Sequence, residues 1–186
     1  MKNRNNFECA LAEAAFLTGL ERNADVVRMA SYAPLFAHVD AWQWTPNLIW
    51  TDNLRTLRTP NYHVQSLFAQ NRGDRILTVA LTGLNPAEEK RLYASSTLDA
   101  ATGEVILKLV NATAAESRST VDLSGAGHLK GGTLTVLQAD SLLAENTFTA
   151  PDHVTPRTTA FAPAGTKFEL TLPANSLTIV RVGIAK

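Results

Sequence analysis

Tyr93-Ala-Ser-Ser-Thr-Leu-Asp-Ala-Ala-Thr-Gly-Glu-Val-Ile-Leu-Lys-Leu-Val110 decides the fold class. Two runs rich in apolar and β-branched residues, Tyr93 to Leu98 and Glu104 to Val110, flank the short connection Asp99-Ala-Ala-Thr-Gly103. Strand-forming runs around a loop of this length that ends in glycine predict an antiparallel hairpin. Downstream, Thr120 to Leu123, Thr133 to Gln138, Lys167 to Leu172 and Ser176 to Val182 are further short strands. Gly125-Ala-Gly127 is a turn signal, and the least regular stretch, Asp140 to Ala164, carries Pro151, Pro156 and Pro163 as a polar loop. Several short strands separated by turn signals predict a mainly β chain whose second half is an antiparallel, jelly-roll-like β-sandwich.

Upstream the pattern is different. Asn5, followed three residues later by Glu8, predicts a capping box. Phe7, Leu11, Ala14, Phe16, Leu17 and Leu20 then form one helical face, with Glu8, Glu13 and Glu21 facing solvent and Asn23 as a stop. A second short helix is expected from Asp25 through Tyr32, with a strand over Val26 to Met29 as the alternative. Leu35 to Val39 is expected as a short buried strand. Thr59-Pro60 opens another helix, with threonine as cap and proline in the first turn, a buried stripe at Val64, Leu67 and Phe68, and Gly73 at its close. Ile76 to Leu81 is again a strand, followed by a polar connection over Leu84 to Arg91. Residues 1–73 therefore form a helix–strand–helix unit and residues 74–186 the sandwich. The first unit is a fragment of an alternating α/β pattern, too short to close a barrel of about 250 residues.

All three tryptophans fall between Ser31 and Asn53. There an apolar run leads into Trp42, Gln43, Trp44, Asn47, Trp50, Asp52 and Asn53. A strand that runs into an aromatic and polar loop is the arrangement at the mouth of an α/β barrel. Aromatic faces with a few amide and carboxylate groups suit the C–H faces and hydroxyl edges of sugar rings. The competing reading is a loop that packs its tryptophans against a core.

Composition narrows the classes. Acidic and basic residues number 17 each, so no net field favours nucleic acid or an anionic membrane. No apolar run approaches the roughly 20 residues a membrane-spanning helix needs. Met1 to Asn6 is polar and has no apolar core or cleavage site of the kind a signal peptide carries; the chain starts as if cut from something longer. Cys9 is the one cysteine, which rules out an internal disulfide and a multi-cysteine metal site. His38, His63, His128 and His153 lack metal-ligand spacing, and neither a Gly-x-Ser-x-Gly elbow nor a phosphate loop is present. No metal and no cofactor is expected.

Four stretches closely resemble the end of the catalytic domain in family 51 glycoside hydrolases, the alpha-L-arabinofuranosidases. They are Ala12-Glu-Ala-Ala-Phe-Leu-Thr-Gly-Leu-Glu-Arg-Asn23, Val27-Arg-Met-Ala-Ser-Tyr-Ala-Pro-Leu-Phe-Ala37, Pro46-Asn-Leu-Ile-Trp50 with Asp52-Asn53, and Thr59-Pro-Asn-Tyr62. Tyr93 to Asp99, Gly103, Ile106 to Asn111 and Ser176 to Val182 are similar to the C-terminal sandwich of the same family. The resemblance implies that residues 1–73 are the C-terminal remnant of a (β/α)8 barrel. It implies a retaining hydrolase that releases arabinose from arabinan or arabinoxylan, with two glutamates about 5–5.5 Å apart. Both are implied to lie upstream, so no catalytic residue is assigned in this chain, and the chain alone is expected to be inactive. Trp44, Asn47, Trp50 and Asp52 are implied at the rim of the sugar site, with a turn-bracing role as the alternative for Asp52 and Asn53. Thr51 stands where the family has an aromatic, and Leu57-Arg58 where it has a turn-forming pair, which implies a different loop geometry.

The expected partner is an arabinose-containing oligo- or polysaccharide, with neither nucleic acid nor membrane. Self-association through barrel surface left uncovered is a further expectation. A non-catalytic carbohydrate-binding module or a structural assembly module is the alternative function. Localisation of this chain is left open; the resemblance implies a periplasmic or secreted parent, with a cytoplasmic one as alternative.

Overall fold

A computed structural model describes residues 5–185, so the polar start at Met1 to Arg4 lies outside the described residues. The elements in chain order are α1 (Phe7–Arg22), β1 (Phe36–His38), β2 (Ile49–Thr51), β3 (Thr56–Arg58), α2 (Pro60–Gln70), β4 (Arg75–Leu77) and β5 (Leu92–Asp99). They continue as β6 (Glu104–Asn111), β7 (Ser117–Asp122), β8 (Leu129–Gln138), β9 (Arg157–Phe161), β10 (Lys167–Leu172) and β11 (Ser176–Ile184). A single 3-10 turn at Ser124–Ala126 follows β7.

The hairpin read from Tyr93–Val110 is β5–β6, paired from Leu92 with Asn111 to Asp99 with Glu104, and Gly103 takes the left-handed φ of 69° that closes its loop. It lies inside a six-stranded antiparallel sheet of order β4-β5-β6-β11-β8-β9. A second, two-stranded sheet, β10–β7, pairs Lys167 with Asp122 through Leu172 with Ser117. β6 is apolar on both faces because it is covered on both. Ile106 and Val110 join the core beneath the helices, while Val105 and Leu107 join the core shared with β10. β11 splits likewise, with Leu177 and Ile179 on the helical side and Val180 and Val182 opposite.

Helix α1 packs on this sheet with α2 beside it, so Phe7, Leu11, Leu17, Val64 and Leu67 share one core with strand residues. The cap of α1 is Asn6, whose Oδ1 accepts from Cys9 N at 3.0 Å, not Asn5. Asn5 is buried and bonded elsewhere, as described below. Phe16 is exposed, contrary to the expected face. Glu8 is exposed as expected, but Glu13 and Glu21 are not free in solvent. Glu13 accepts from the side chains of Asn61 and Gln65, and burial pushes its carboxyl above the usual range. Glu21 accepts from the fully buried Lys108 Nζ at 2.5 Å and from Ser95 Oγ at 2.5 Å. Burial lowers the Lys108 ammonium, Glu21 opposes that shift, and the Phe68 ring lies 5.3 Å from Nζ. The ion pair joins α1 to the centre of β6.

The expected helix from Asp25 to Tyr32 is absent: residues 27–32 carry no regular structure. Val26 and Met29 are exposed, so the segment has no packed face to offset the cost of nucleating two turns. The Leu35–Val39 strand shrinks to β1, and Leu35 and Phe36 are exposed, not buried. The Ile76–Leu81 strand likewise shrinks to β4, where only Arg75 to Leu77 meet β5. Helix α2 starts as read, with Thr59 Oγ1 accepting from Tyr62 N at 3.3 Å and Pro60 in the first turn. Its C-cap is Asn71, and Gly73 serves a close approach instead, since a Cβ there would sit 2.5 Å from the Leu98 carbonyl oxygen. Strand β9 was hidden in the Asp140–Ala164 loop; it pairs only with β8, and an edge strand tolerates prolines at its flanks.

Candidate substrate-binding cleft

The aromatic stretch folds around a small three-stranded sheet in which β1 runs parallel to β2, and β2 antiparallel to β3. Asn5 and Asn47 hold its centre. Asn5 Oδ1 accepts from Asn47 N at 3.0 Å, and Asn5 Nδ2 donates to Tyr32 Oη at 2.8 Å and Asn61 Oδ1 at 3.2 Å. Asn47 is 1% exposed and its Nδ2 donates to the Trp44 carbonyl at 2.6 Å. The peptide bonds before Pro34 and Pro46 are cis, and Leu48 N donates to the Pro34 carbonyl at 3.1 Å.

Asp52 braces the β2–β3 turn. Its Oδ1 accepts from Arg55 N at 2.9 Å and Leu54 N at 3.3 Å, while Oδ2 accepts from Arg55 Nε at 2.9 Å. Those bonds, the Arg55 guanidinium foremost, hold its carboxyl below the usual range. Asn53 takes a left-handed φ of 76°, which asparagine tolerates in turns.

Beside this loop opens a cleft of about 390 Å³. Trp42 and Trp50 line it, edge to face, with ring centres 6.3 Å apart. Thr45 also faces it, and Glu145, Thr147 and Phe148 from the β8–β9 connection form part of its lining. Of the four residues expected at a sugar site, Trp50 lines this cleft. Trp44 stands exposed at the loop surface, while Asn47 and Asp52 spend their polar groups on the loop backbone. Sequence reasoning missed Glu145, Thr147 and Phe148 because they lie nearly a hundred residues from the tryptophans, in a stretch with no periodic signal.

Among the described residues lining the cleft, Glu145 is the one carboxylate. One carboxylate with aromatic walls and hydroxyl groups can bind a neutral ring; double displacement needs two carboxylates. A larger hollow of about 860 Å³ lies between the six-stranded sheet and β7, lined largely by Leu, Val, Ser and Thr side chains. No group of three or more His, Cys, Asp or Glu among the described residues could hold a metal ion.

Residues 1–176 match the family described as alpha-L-arabinofuranosidase C-terminal domain. The chain is 39% identical over 174 residues to a probable alpha-L-arabinofuranosidase A of Aspergillus oryzae, covering 92% of this chain and 26% of that protein. It is 35% identical over 173 residues to alpha-L-arabinofuranosidase 1 of Arabidopsis thaliana, covering 90% of this chain and 25% of that protein. The solved structure of an arabinose-bound family 51 alpha-L-arabinofuranosidase superposes on the whole chain with a TM-score of 0.89 at 34% identity, across 29% of its own length. The chain thus spans about a quarter of the length of the relatives it matches.

Proposed function

The chain belongs to the alpha-L-arabinofuranosidase C-terminal domain family, and from that membership we propose that it is the C-terminal portion of a retaining glycosidase that releases arabinose from arabinan or arabinoxylan. The likeness of the entire chain to an arabinose-bound enzyme carries this reading. Residues 1–73 would supply the last elements of the catalytic barrel and residues 74–186 its companion sandwich. In support, the exposed large apolar side chains Val26, Met29, Leu35, Phe36, Trp42 and Trp44 gather in the first part, where further barrel strands would cover them. The two catalytic glutamates belong to barrel strands outside these residues, so the chain contributes substrate contacts and no chemistry of its own.

Within the site, Trp44 and Trp50 offer apolar faces to arabinose at the rim. Asn47 and Asp52 act through the loop: Asn47 fixes the carbonyl of Trp44, and Asp52 fixes the turn after β2. A periplasmic or secreted location fits a polymeric plant substrate. The alternative, a carbohydrate-binding module working by itself, is favoured only by the cleft and its aromatic walls.

The test is hydrolysis of para-nitrophenyl alpha-L-arabinofuranoside by the purified chain, with arabinose binding followed by calorimetry on the same sample. The expected result is no turnover, with weak arabinose binding that Trp44→Ala reduces. Turnover that survives repurification would place a carboxylate pair inside this chain and overturn the reading.

A further inference from the structure

A relay of hydrogen bonds runs from the aromatic loop to helix α1. Asn47 N donates to Asn5 Oδ1 at 3.0 Å, Asn5 Nδ2 donates to Asn61 Oδ1 at 3.2 Å, and Asn61 Nδ2 donates to Glu13 Oε2. Each link fixes the next. A backbone N–H can only donate, so Asn5 must turn its oxygen to the loop and its nitrogen to Asn61. Asn61 receives that bond on its oxygen, which leaves its nitrogen facing Glu13, an acceptor. Asn5, Asn47 and Asn61 are all buried, so a link turned the wrong way leaves a polar atom without a partner. At the loop end Asn47 also holds the Trp44 carbonyl through Nδ2, at 2.6 Å. At the helix end Glu13 Oε1 accepts from Gln65 Nε2.

A proton on Glu13 disturbs this order. The acid hydroxyl needs an acceptor, while Asn61 and Gln65 both present N–H groups. If Asn61 turns over, its nitrogen meets the nitrogen of Asn5 and the relay breaks. If Gln65 turns over, the relay survives on a neutral bond about half as strong as the charge-assisted one. Burial between the helices raises the Glu13 carboxyl whether the loop is held or released, whereas the Asn61 bond lowers it only while the loop is held. The released loop therefore takes up the proton at the higher pH, and acid shifts the loop towards release. The titratable groups around Glu13 oppose its charge. Burial raises the Cys9 thiol on α1 and the Tyr32 phenol before β1, and the Glu13 charge adds to both; Glu8 and Glu145 act on Cys9 as well. From α2 come the neutral amides of Asn61 and Gln65, while His63 on that helix feels Arg58 and Asp152 instead. The Lys108 ammonium of β6 is engaged by Glu21, about two turns further along α1.

We propose that Glu13 is a pH-sensitive latch on the aromatic loop: as a carboxylate it holds the loop backbone at Asn47 through Asn61 and Asn5, and as an acid it loosens that hold. The latch is a property of the fold and does not depend on what the loop binds. Asn5 and Asn61 are positioning residues in it, and the loop they position carries Trp42, Trp44 and Trp50.

Amide hydrogen exchange followed by NMR on the intact chain tests this. A His63→Leu background removes the other buried group of α2 that titrates in acid, since burial lowers that histidine to about 4. After correction for the intrinsic exchange rate, protection of the Asn47 amide should fall about fivefold between pH 7 and pH 4.5. Protection of Ile179, in a strand paired on both sides, should not fall. The Glu13 carboxyl carbon should titrate with the midpoint of the change at Asn47. Glu13→Gln should remove the pH dependence, and Gln65→Met, which leaves the relay in place, should keep it. The latch is overturned by an Asn47 protection that does not change, or by one that falls in step with Ile179. A fall that persists in Glu13→Gln, or is lost in Gln65→Met, overturns it too. If Glu13→Gln does not fold, the carboxyl titration decides: a midpoint displaced from that of Asn47 rejects the latch.

Discussion

His63 is buried in α2 against the Tyr62 ring, and its Nε2 has no hydrogen-bond partner among the described residues. Burial lowers its pKa from 6.5 to about 4; the Arg58 charge adds to the shift and Asp152 opposes it. Between those two values the unfolded chain binds a proton that the folded chain does not. Stability therefore falls as pH drops through that window, by about 3 kcal/mol in all. Urea titrations at pH 7 and pH 4.5 should show this loss in wild type and a markedly smaller one in His63→Leu; equal losses would mean the histidine is not buried neutral. No periodicity pointed to this, because a histidine on a helix reads as surface until its neighbours are known. The same limit applies to Asn5 and Asn47. Their composition suggested a cap and a ligand, whereas burial made them cross-links between segments 42 residues apart in sequence. The pairing of Trp42 with Trp50 was foreshadowed, since three large rings in one short stretch are visible without any fold, but the exposed place of Trp44 was not.

Elements were legible where one local pattern decided them. The β5–β6 hairpin, the Thr59-Pro60 start of α2 and β10 at Lys167–Leu172 all follow from turn chemistry and alternation. Elements that depend on distant partners were not: β1 stops where β2 ends, β4 leaves β5 after Leu77 although β5 continues to Leu92, and β9 exists because β8 offers an edge. Two glycines separate local from tertiary demands. Gly19 lies within α1, where an added Cβ meets only the far end of Arg22 at 3.8 Å. Gly19→Ala should raise stability by about 0.5–1 kcal/mol through helix propensity. At Gly73 an added Cβ would press on the backbone of Leu98 at 2.5 Å, so Gly73→Ala should cost about 1–3 kcal/mol as the α2–β4 crossing shifts away from β5. Chemical denaturation of the two variants side by side checks the opposite signs. A Gly73→Ala protein as stable as wild type would show that the crossing does not need that approach.

For the molecule as a whole, the distribution of apolar surface is uneven. Val26, Met29, Leu35, Phe36, Trp42, Trp44 and Leu54 are all more than half exposed, and all lie within about thirty residues. Among the described residues of the sandwich, only Leu143 reaches that level among the large hydrophobics. Exposed apolar surface of this kind favours association in water. Charge does not oppose its self-association either, since acidic and basic residues balance and the pI is about 6.9. The isolated chain should therefore associate near pH 7, with a weight-average mass in sedimentation equilibrium that rises with concentration. Replacing Met29 and Phe36 together by serine should suppress that rise and leave the thermal unfolding midpoint nearly unchanged, because both side chains already face solvent. Loss of the midpoint would mean that they pack within the fold. A compact monomer at high concentration, with both residues intact, would mean that this surface needs no cover. The reading of residues 1–73 as an incomplete barrel would then lose its physical support, and a self-sufficient sugar-binding module would become the better description.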